Sequence, residues 1–475
     1  MPGLIKPHLE RNDYEELILQ RREIPERLRS IWAGVSRATR LSRSFPDLHA
    51  QTIWDTGADV IGPTFFFFVS WALQEAKKQG FRDLYFLARD GQILREIAQT
   101  ICRQYSWDIE CRYLHGSRQA WLIPAISLFT RQEIDWLFSE LWYVLSVRSV
   151  CRRLGSSPED MEEILGKYDF PAAVFDRELD ELGKKRLQDC LMSEEFGRWF
   201  HEKSRGDFEN IIGYFRQEGL FDCQKIALVD IGWRGNQQAA LNKILIKAGH
   251  SPRAGVRGFY FGLTEAAAKL PPGALHSFLF DLSSSPRRFY LRNNNIYEAF
   301  AASAEGRTIG FGQASGRFVP VLASPTCPEV LRWRVELQHE SILAFVREFC
   351  EQCPVELKSP EDVLPGLEAT LHRFLSNPSF HEAETYGRFP MDSEMTESNI
   401  QEIAPVVTRR EFWRSCLDLK RSRVFWMAAT LRRSKLSFER MLWKWLWPLL
   451  AWGYGHAQRT RRNFSESRAL LSRKT

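Results

Sequence analysis

The chain has 475 residues, 44% of them hydrophobic and 26% charged, with a net charge of +6. That composition excludes a disordered or fibrous chain, and so small a basic excess does not by itself make a nucleic-acid binder. The length asks for two or three domains, and 13% aromatic content, with 16 Trp and 33 Phe, asks for thick cores, an interface or a membrane surface.

Nine cysteines are scattered along the chain, so no disulfide framework is expected. Cys350 and Cys353 form one CxxC without the second pair that a zinc site needs. The N-terminus is polar, and no apolar run reaches the roughly 18 residues that span a bilayer. A cytoplasmic protein is expected.

Residues 1–50 read as a basic helical arm whose interrupted apolar stripe is Leu17, Ile18, Leu28, Ile31, Trp32 and Val35. Residues 51–129 form the first part of an α/β core. Gly62-Pro63-Thr64 opens a buried helix that runs through Phe65-Phe66-Phe67-Phe68 to Leu73, and Gly80 closes it. A strand over 84–88 stops at Arg89-Asp90-Gly91 and gives way to a helix over 92–104. A second strand, Ile109–Leu114, ends at His115-Gly116-Ser117-Arg118.

From 130 to 218 the spacing stays helical, which predicts a helical cap inserted between two strands. Ser157-Pro158-Glu159-Asp160 is one of its helix starts. The α/β core resumes over 219–325. A strand at 225–231 leads into Asp230-Ile231-Gly232-Trp233-Arg234-Gly235, then a helix over 236–248 and a strand Val256–Leu263. Shorter strands, among them Thr308–Phe311 and Phe318–Leu322, are expected next. Residues 326–435 read as helical with a loop-rich section at 376–400.

The stretch 436–475 is amphipathic and dense in Trp and Arg, from Met441-Leu442-Trp443-Lys444-Trp445 to Tyr454, with Arg459, Arg461 and Arg462 beyond. Trp and Tyr favour the membrane interface, and basic clusters favour anionic head groups. The segment is expected either to touch the inner membrane face peripherally or to pack against the body or a partner.

Apolar runs that stop at Asp and Gly and open a helix are the signature of buried parallel strands, and their carboxyl ends share one ligand-binding edge. Asp90 and Asp230 are therefore the candidate catalytic carboxylates and metal ligands. Each has the alternative role of capping the helix that follows it. Arg89, Arg118 and Ser117 are candidate phosphate contacts. Arg234 reads more simply as a surface ion pair. Gly91, Gly232 and Gly235 allow close backbone approach or a tight turn, and Trp233 reads equally as a surface on which a sugar ring could stack or as a core residue. No dinucleotide fingerprint, P-loop, nucleophile elbow or zincin motif occurs, and no recognised motif makes nucleic acid an expected partner.

Taken in order, these strings resemble one bacterial family. They are Gly62-Pro63 to Leu73, Tyr85-Phe86-Leu87-Ala88-Arg89-Asp90-Gly91, Tyr113-Leu114 with Ser117-Arg118, Val229-Asp230-Ile231-Gly232-Trp233-Arg234-Gly235 with Gln238, Gly258–Leu263, and Tyr297-Glu298 with Glu305-Gly306. The family is that of the predicted haloacid dehalogenase (HAD) superfamily hydrolases associated with capsule and lipopolysaccharide glycosyltransferases. The resemblance covers roughly residues 57–325. It implies a Rossmann-like, HAD-like parallel sheet, an inserted helical cap, Mg²⁺, and a sugar phosphate or nucleotide sugar as ligand. Gln238 and Glu298 join the substrate-binding candidates on its strength, with a glycosyltransferase as a partner. The chain departs from the superfamily at two places. The nearest string to the DxD nucleophile motif, Ile53-Trp54-Asp55-Thr56-Gly57-Ala58-Asp59, leads into a helix, and Ala88 stands where the second motif carries a hydroxyl.

Overall fold

The computed structural model describes residues 11–126, 134, 137–138, 145–252, 255–264, 270–271, 273–281, 293–353, 359–392, 400–417 and 424–443. The fold class is α/β. Five strands, β1 (Asp83–Leu87), β2 (Glu110–Leu114), β3 (Ile226–Asp230), β4 (Val256–Leu263) and β5 (Leu275–Asp281), form one sheet in the order β2-β1-β3-β4-β5. Every neighbouring pair is parallel. In β3 the whole run Ile-Ala-Leu-Val-Asp is buried, as a strand covered on both faces must be. Parallel neighbours need crossovers, supplied by the helix Gly91–Tyr105 between β1 and β2 and the helix Asn236–Lys247 between β3 and β4. The chain steps from β1 outward to β2, then returns past β1 to β3. The strand order therefore reverses between β1 and β3, the place where open α/β sheets bind ligands.

Behind the sheet runs a helical rod from Leu48 to Lys78, and Gly62-Pro63 lies inside it rather than at its start. A wide π turn, Gly57–Ile61, precedes the proline, with the Gly62 N–H reaching back to the Gly57 carbonyl. That widening accommodates the ring where a tight α-turn would clash. A Cβ on Gly62 would stand 2.9 Å from that of Phe345, so the glycine lets the helix Val335–Gln352 lie close. Among the described residues the rod is the one helix long and apolar enough to cross a membrane, and it is wholly buried in the protein.

The rod ties the remaining parts together. Phe65, Phe66, Phe67 and Phe68 are all 0% exposed. Phe67 meets Trp32 of the N-terminal arm at 5.0 Å, Phe66 meets Phe349 at 4.5 Å, and Phe68 meets Phe261 of β4 at 5.5 Å. The arm, with helices Asp13–Leu19 and Glu26–Ser42, is thus part of one apolar cluster extending from Tyr14 to Ala429. Polar bonds lock it as well. The Tyr14 hydroxyl donates to Glu382 at 2.6 Å and accepts from Arg373 at 2.8 Å.

The described part of 130–218 is helical and builds a core of its own from residues such as Leu137, Val150, Leu165, Leu187 and Phe196. Within the loop-rich section, the helix Phe380–Gly387 starts at a Ser379/Glu382 capping box. Thr308–Ala314 and Arg317–Leu322 pair as an antiparallel hairpin. Of the Trp- and Arg-rich stretch, residues 444–475 lie outside the described residues.

Phe67 joins the rod to the arm through Trp32 and to the helix Val335–Gln352 through Phe349 at 5.5 Å, so Phe67→Ala is expected to cost about 3–5 kcal/mol and to lower the melting temperature in a single cooperative transition. Denaturant unfolding followed by both fluorescence and circular dichroism checks this. Separate transitions for arm and sheet would contradict the shared core.

Candidate functional site

At the carboxyl end of β1, the Ala88 N–H bonds the Leu114 carbonyl at 2.9 Å, continuing the pairing with β2. Arg89 then turns into the left-handed region at φ 69°, a conformation that a branched or bulky side chain rarely adopts. Its N–H donates to the Tyr113 hydroxyl at 2.8 Å, and that hydroxyl donates to Glu305 at 2.6 Å. The reversal delivers Asp90 to the start of the helix Gly91–Tyr105, where its side chain makes no capping bond. Gly91 packs against the strand so tightly that a Cβ would stand 2.7 Å from the Phe86 carbonyl carbon.

Next to it, β3 ends at Asp230, which is 7% exposed. Its carboxylate accepts the backbone N–H groups of Ile231 and Gly232. The following helix is capped by Gly235, so Asp230 is not spent on it. Gly232, at φ 152°, lies where a Cβ would come within 2.6 Å of the Gly262 carbonyl oxygen. The chain then lays Trp233 flat against Phe280, with ring centres 6.0 Å apart and planes 4° from parallel. The indole N–H donates to Glu298 at 2.9 Å. Glu298 lies on the helix Asn294–Ala301.

Three carboxylates from distant segments therefore come within electrostatic reach of one another at the reversal point. Burial pushes Asp90 well above the usual carboxylate range, Asp230 and Glu298 push it further, and Arg89 pulls against them. Burial also pushes Asp230 up to about 7, with Glu298 adding to the rise and the two backbone donors opposing it. A second group flanks the first on the β2 side. His115 stands 3.8 Å from Glu305, and burial lowers its affinity for a proton while Glu305 raises it. Arg95 lies over the Tyr113 ring at 5.2 Å.

The remaining expected residues fall elsewhere. Ser117 is buried, and its Oγ accepts the Ala120 N–H at 3.0 Å at the start of the helix Arg118–Ala125. Arg118 is exposed and Arg234 partly buried, both already engaged by the protein. Gln238 corrects the expectation of a ligand contact. It is 0% exposed, donates to the carbonyls of Val256 and Ala274 at 2.7 and 3.0 Å, and accepts the Tyr260 hydroxyl at 2.9 Å. It braces the β4–β5 pair rather than facing the edge. Asp55 and Asp59 lie along the rod, not at a strand end. Asp55 accepts from Gln51 at 2.8 Å, and Asp59 lies 3.8 Å from Arg40. Tyr113 and Glu305, which sequence reasoning did not place in the site, hold the turn that carries Asp90.

Among the described residues, no three His, Cys, Asp or Glu side chains stand close enough to hold a metal ion by themselves. No family model matches the chain, and no curated protein is significantly similar to it.

Two substitutions separate site from scaffold. The folded pKa of Asp230 lies above its unfolded value of 3.8, so the folded state takes up the proton more readily. Stability gained this way is present below about 4 and is lost as pH rises through 7. Asp230→Asn is thus expected to be more stable than wild type at pH 8, by up to about 4 kcal/mol, and equal to it near pH 4. Gln238→Leu is expected to cost about 2–4 kcal/mol at every pH, because it strands the Tyr260 hydroxyl and two carbonyls. Melting curves across pH read both effects. A pH-independent offset for Asp230→Asn would refute the assignment.

Proposed function

We propose that the edge carrying Asp90, Asp230 and Glu298 binds a phosphorylated or nucleotide-linked sugar and acts on it as a hydrolase or transferase in bacterial surface-polysaccharide assembly. The observation that carries the reading is that two carboxylates desolvated by burial, Asp90 and Asp230, lie at the β1/β3 reversal within electrostatic reach of Glu298. Such perturbed groups cluster at functional sites. The substrate class and the setting rest on the resemblance to HAD-superfamily hydrolases. In this reading the helical insertion over 130–218 serves as the cap.

With no metal bound, Asp230, poised near neutrality, is suited to take a proton from a sugar hydroxyl and return it to a leaving group; as a Mg²⁺ ligand it would instead stay ionised. The helix starts at Gly91 and Asn236 present backbone N–H groups suited to phosphate oxygens, and Arg89 adds a guanidinium. Trp233 offers a wall for a sugar ring, backed by Phe280. An all-oxygen donor set of two carboxylates plus phosphate suits Mg²⁺, which usually takes one or two protein carboxylates and completes its shell from substrate and water. Asp90 and Asp230 would hold it, and it would neutralise phosphate charge. A covalent aspartyl-phosphate step is not part of this reading. Ala88 carries a methyl group at the strand end, and Asp55 and Asp59 belong to the buried rod.

The methyl group of Ala88 also favours a second reading, in which the chain is a degenerate module that recruits or regulates glycosyltransferases at the inner membrane face. A thermal-shift screen of sugar phosphates and nucleotide sugars, with and without Mg²⁺, separates the two. A ligand at about 100 times its Kd stabilises the protein by about 2.7 kcal/mol. Asp90→Asn and Asp230→Asn, folded as wild type, are expected to abolish the shift and any turnover. If both variants keep them, the proposal fails. Binding without turnover in wild type supports the second reading.

A further inference from the structure

We propose that the face formed around residues 406–414 and 435–441 docks onto an anionic lipid surface. Two helical segments meet there, Arg409–Leu417 and residues 437–443. They are clipped together by the Arg409 Nε to Glu439 Oε1 ion pair at 2.5 Å and by the Val407 N–H to Ser434 Oγ bond at 2.9 Å. Glu439 is 1% exposed and points inward, so the opposite side of its helix faces solvent. That side carries Phe438 and Met441, three residues apart and 56% and 52% exposed. Across the clip stand Val406 at 61% exposure and Trp413 at 42%, the latter one helical turn beyond Arg409.

Four large apolar side chains turned to water in one neighbourhood need a partner, and the surrounding charge indicates which kind. Arg410, Arg414 and Lys435 are exposed and Arg440 is partly so, while Glu411 is the exposed carboxylate among them. Glu411 is occupied with capping its own helix through Thr408. A Trp and a Phe rimmed by guanidinium and ammonium groups match the interfacial layer of a bilayer, where aromatic rings sit at head-group depth and cations meet phosphate. An apolar protein partner would not call for this basic rim. In the sequence, Trp443 is followed by Lys444-Trp445-Leu446-Trp447, which repeats the same residue chemistry. The inference is independent of the crevice, and it places contact upstream of residue 436 as well as within the C-terminal stretch.

Flotation of the full chain with vesicles tests it, using phosphatidylcholine alone and phosphatidylcholine mixed with phosphatidylglycerol, at low and high salt. The wild type is expected to float with the mixed vesicles, not with the neutral ones, and to be released by salt. Trp413→Ser with Phe438→Ser, and separately Arg410→Glu with Arg414→Glu, are expected to weaken binding about tenfold or more with melting temperature unchanged. Asp90→Asn is expected to float as wild type, which separates this proposal from the crevice. Wild-type-like flotation of both double variants, or no flotation of wild type, would overturn the proposal. So would sedimentation showing a wild-type dimer that the Trp413/Phe438 variant dissociates, since a second copy would then cover the face.

Discussion

The reversal of strand order between β1 and β3 is the constraint on which the rest depends. Right-handed crossovers leave few ways to return a chain past its first strand. The chain takes one of them, and two residues 140 positions apart, Asp90 and Asp230, come to the same sheet edge within electrostatic reach of each other. Pairing of Phe86 with Val229 brings the two strand ends level. Asp230 is held by the β3 ladder, and Asp90 by the turn that the Arg89 N–H bond to Tyr113 fixes. Their mutual repulsion is therefore imposed by backbone topology and persists at the expense of some folding free energy.

That geometry is held from behind. Trp71 meets Phe259 at 5.9 Å and Phe65 meets Phe261 at 6.2 Å, so β4 rests on the aromatic rod. The same rod is gripped on its other side by the arm and by Val335–Gln352. A packed interior transmits displacement because it has little free volume. Segments far from the edge thus fix where the edge lies, and the arm belongs to the foundation of the site although it contributes no group to it.

Much of this was legible in the sequence, for reasons that differ by element. β1 and β3 are short apolar runs with sharp Asp/Gly stops, and burial on both faces removes the alternation that would otherwise blur them. The meeting of Asp90 and Asp230 followed from a rule about parallel sheets rather than from either residue. What could not be read depends on distant partners. Tyr113 and Glu305 are 192 positions apart, and nothing local to either announces the bond. Gln238 enters as a ligand contact only through the family resemblance, yet its surroundings are set by β4 and β5. Pro63 reads as a helix start because the π turn that accommodates it arises from packing against Ser341 and Phe345, which local propensity does not encode. β5 was not singled out, since its residues are half-buried toward its start and it closes an edge of the sheet.

The contrast between two groups of buried carboxylates bears on what the edge is for. Glu382 receives a guanidinium from Arg373, a phenol from Tyr14 and the Ser379 N–H, and Glu15 receives Arg40 at 2.6 Å. These are structural acids, matched by cations that fold with them. At the reversal point Asp230 receives two backbone N–H groups, Glu298 an indole N–H, and Asp90 the field of an exposed Arg89. Neutral donors orient a carboxylate without cancelling its charge, and a solvent-exposed guanidinium is a weak counterweight in water. Glu382 and Glu15 are thus completed internally by cations, whereas Asp90 and Asp230 at the edge, like Asp55 and Asp59 on the rod, are pushed toward the protonated form by burial. What sets Asp90 and Asp230 apart from the rod acids is their position at the strand-order reversal, the edge at which open α/β sheets bind ligands.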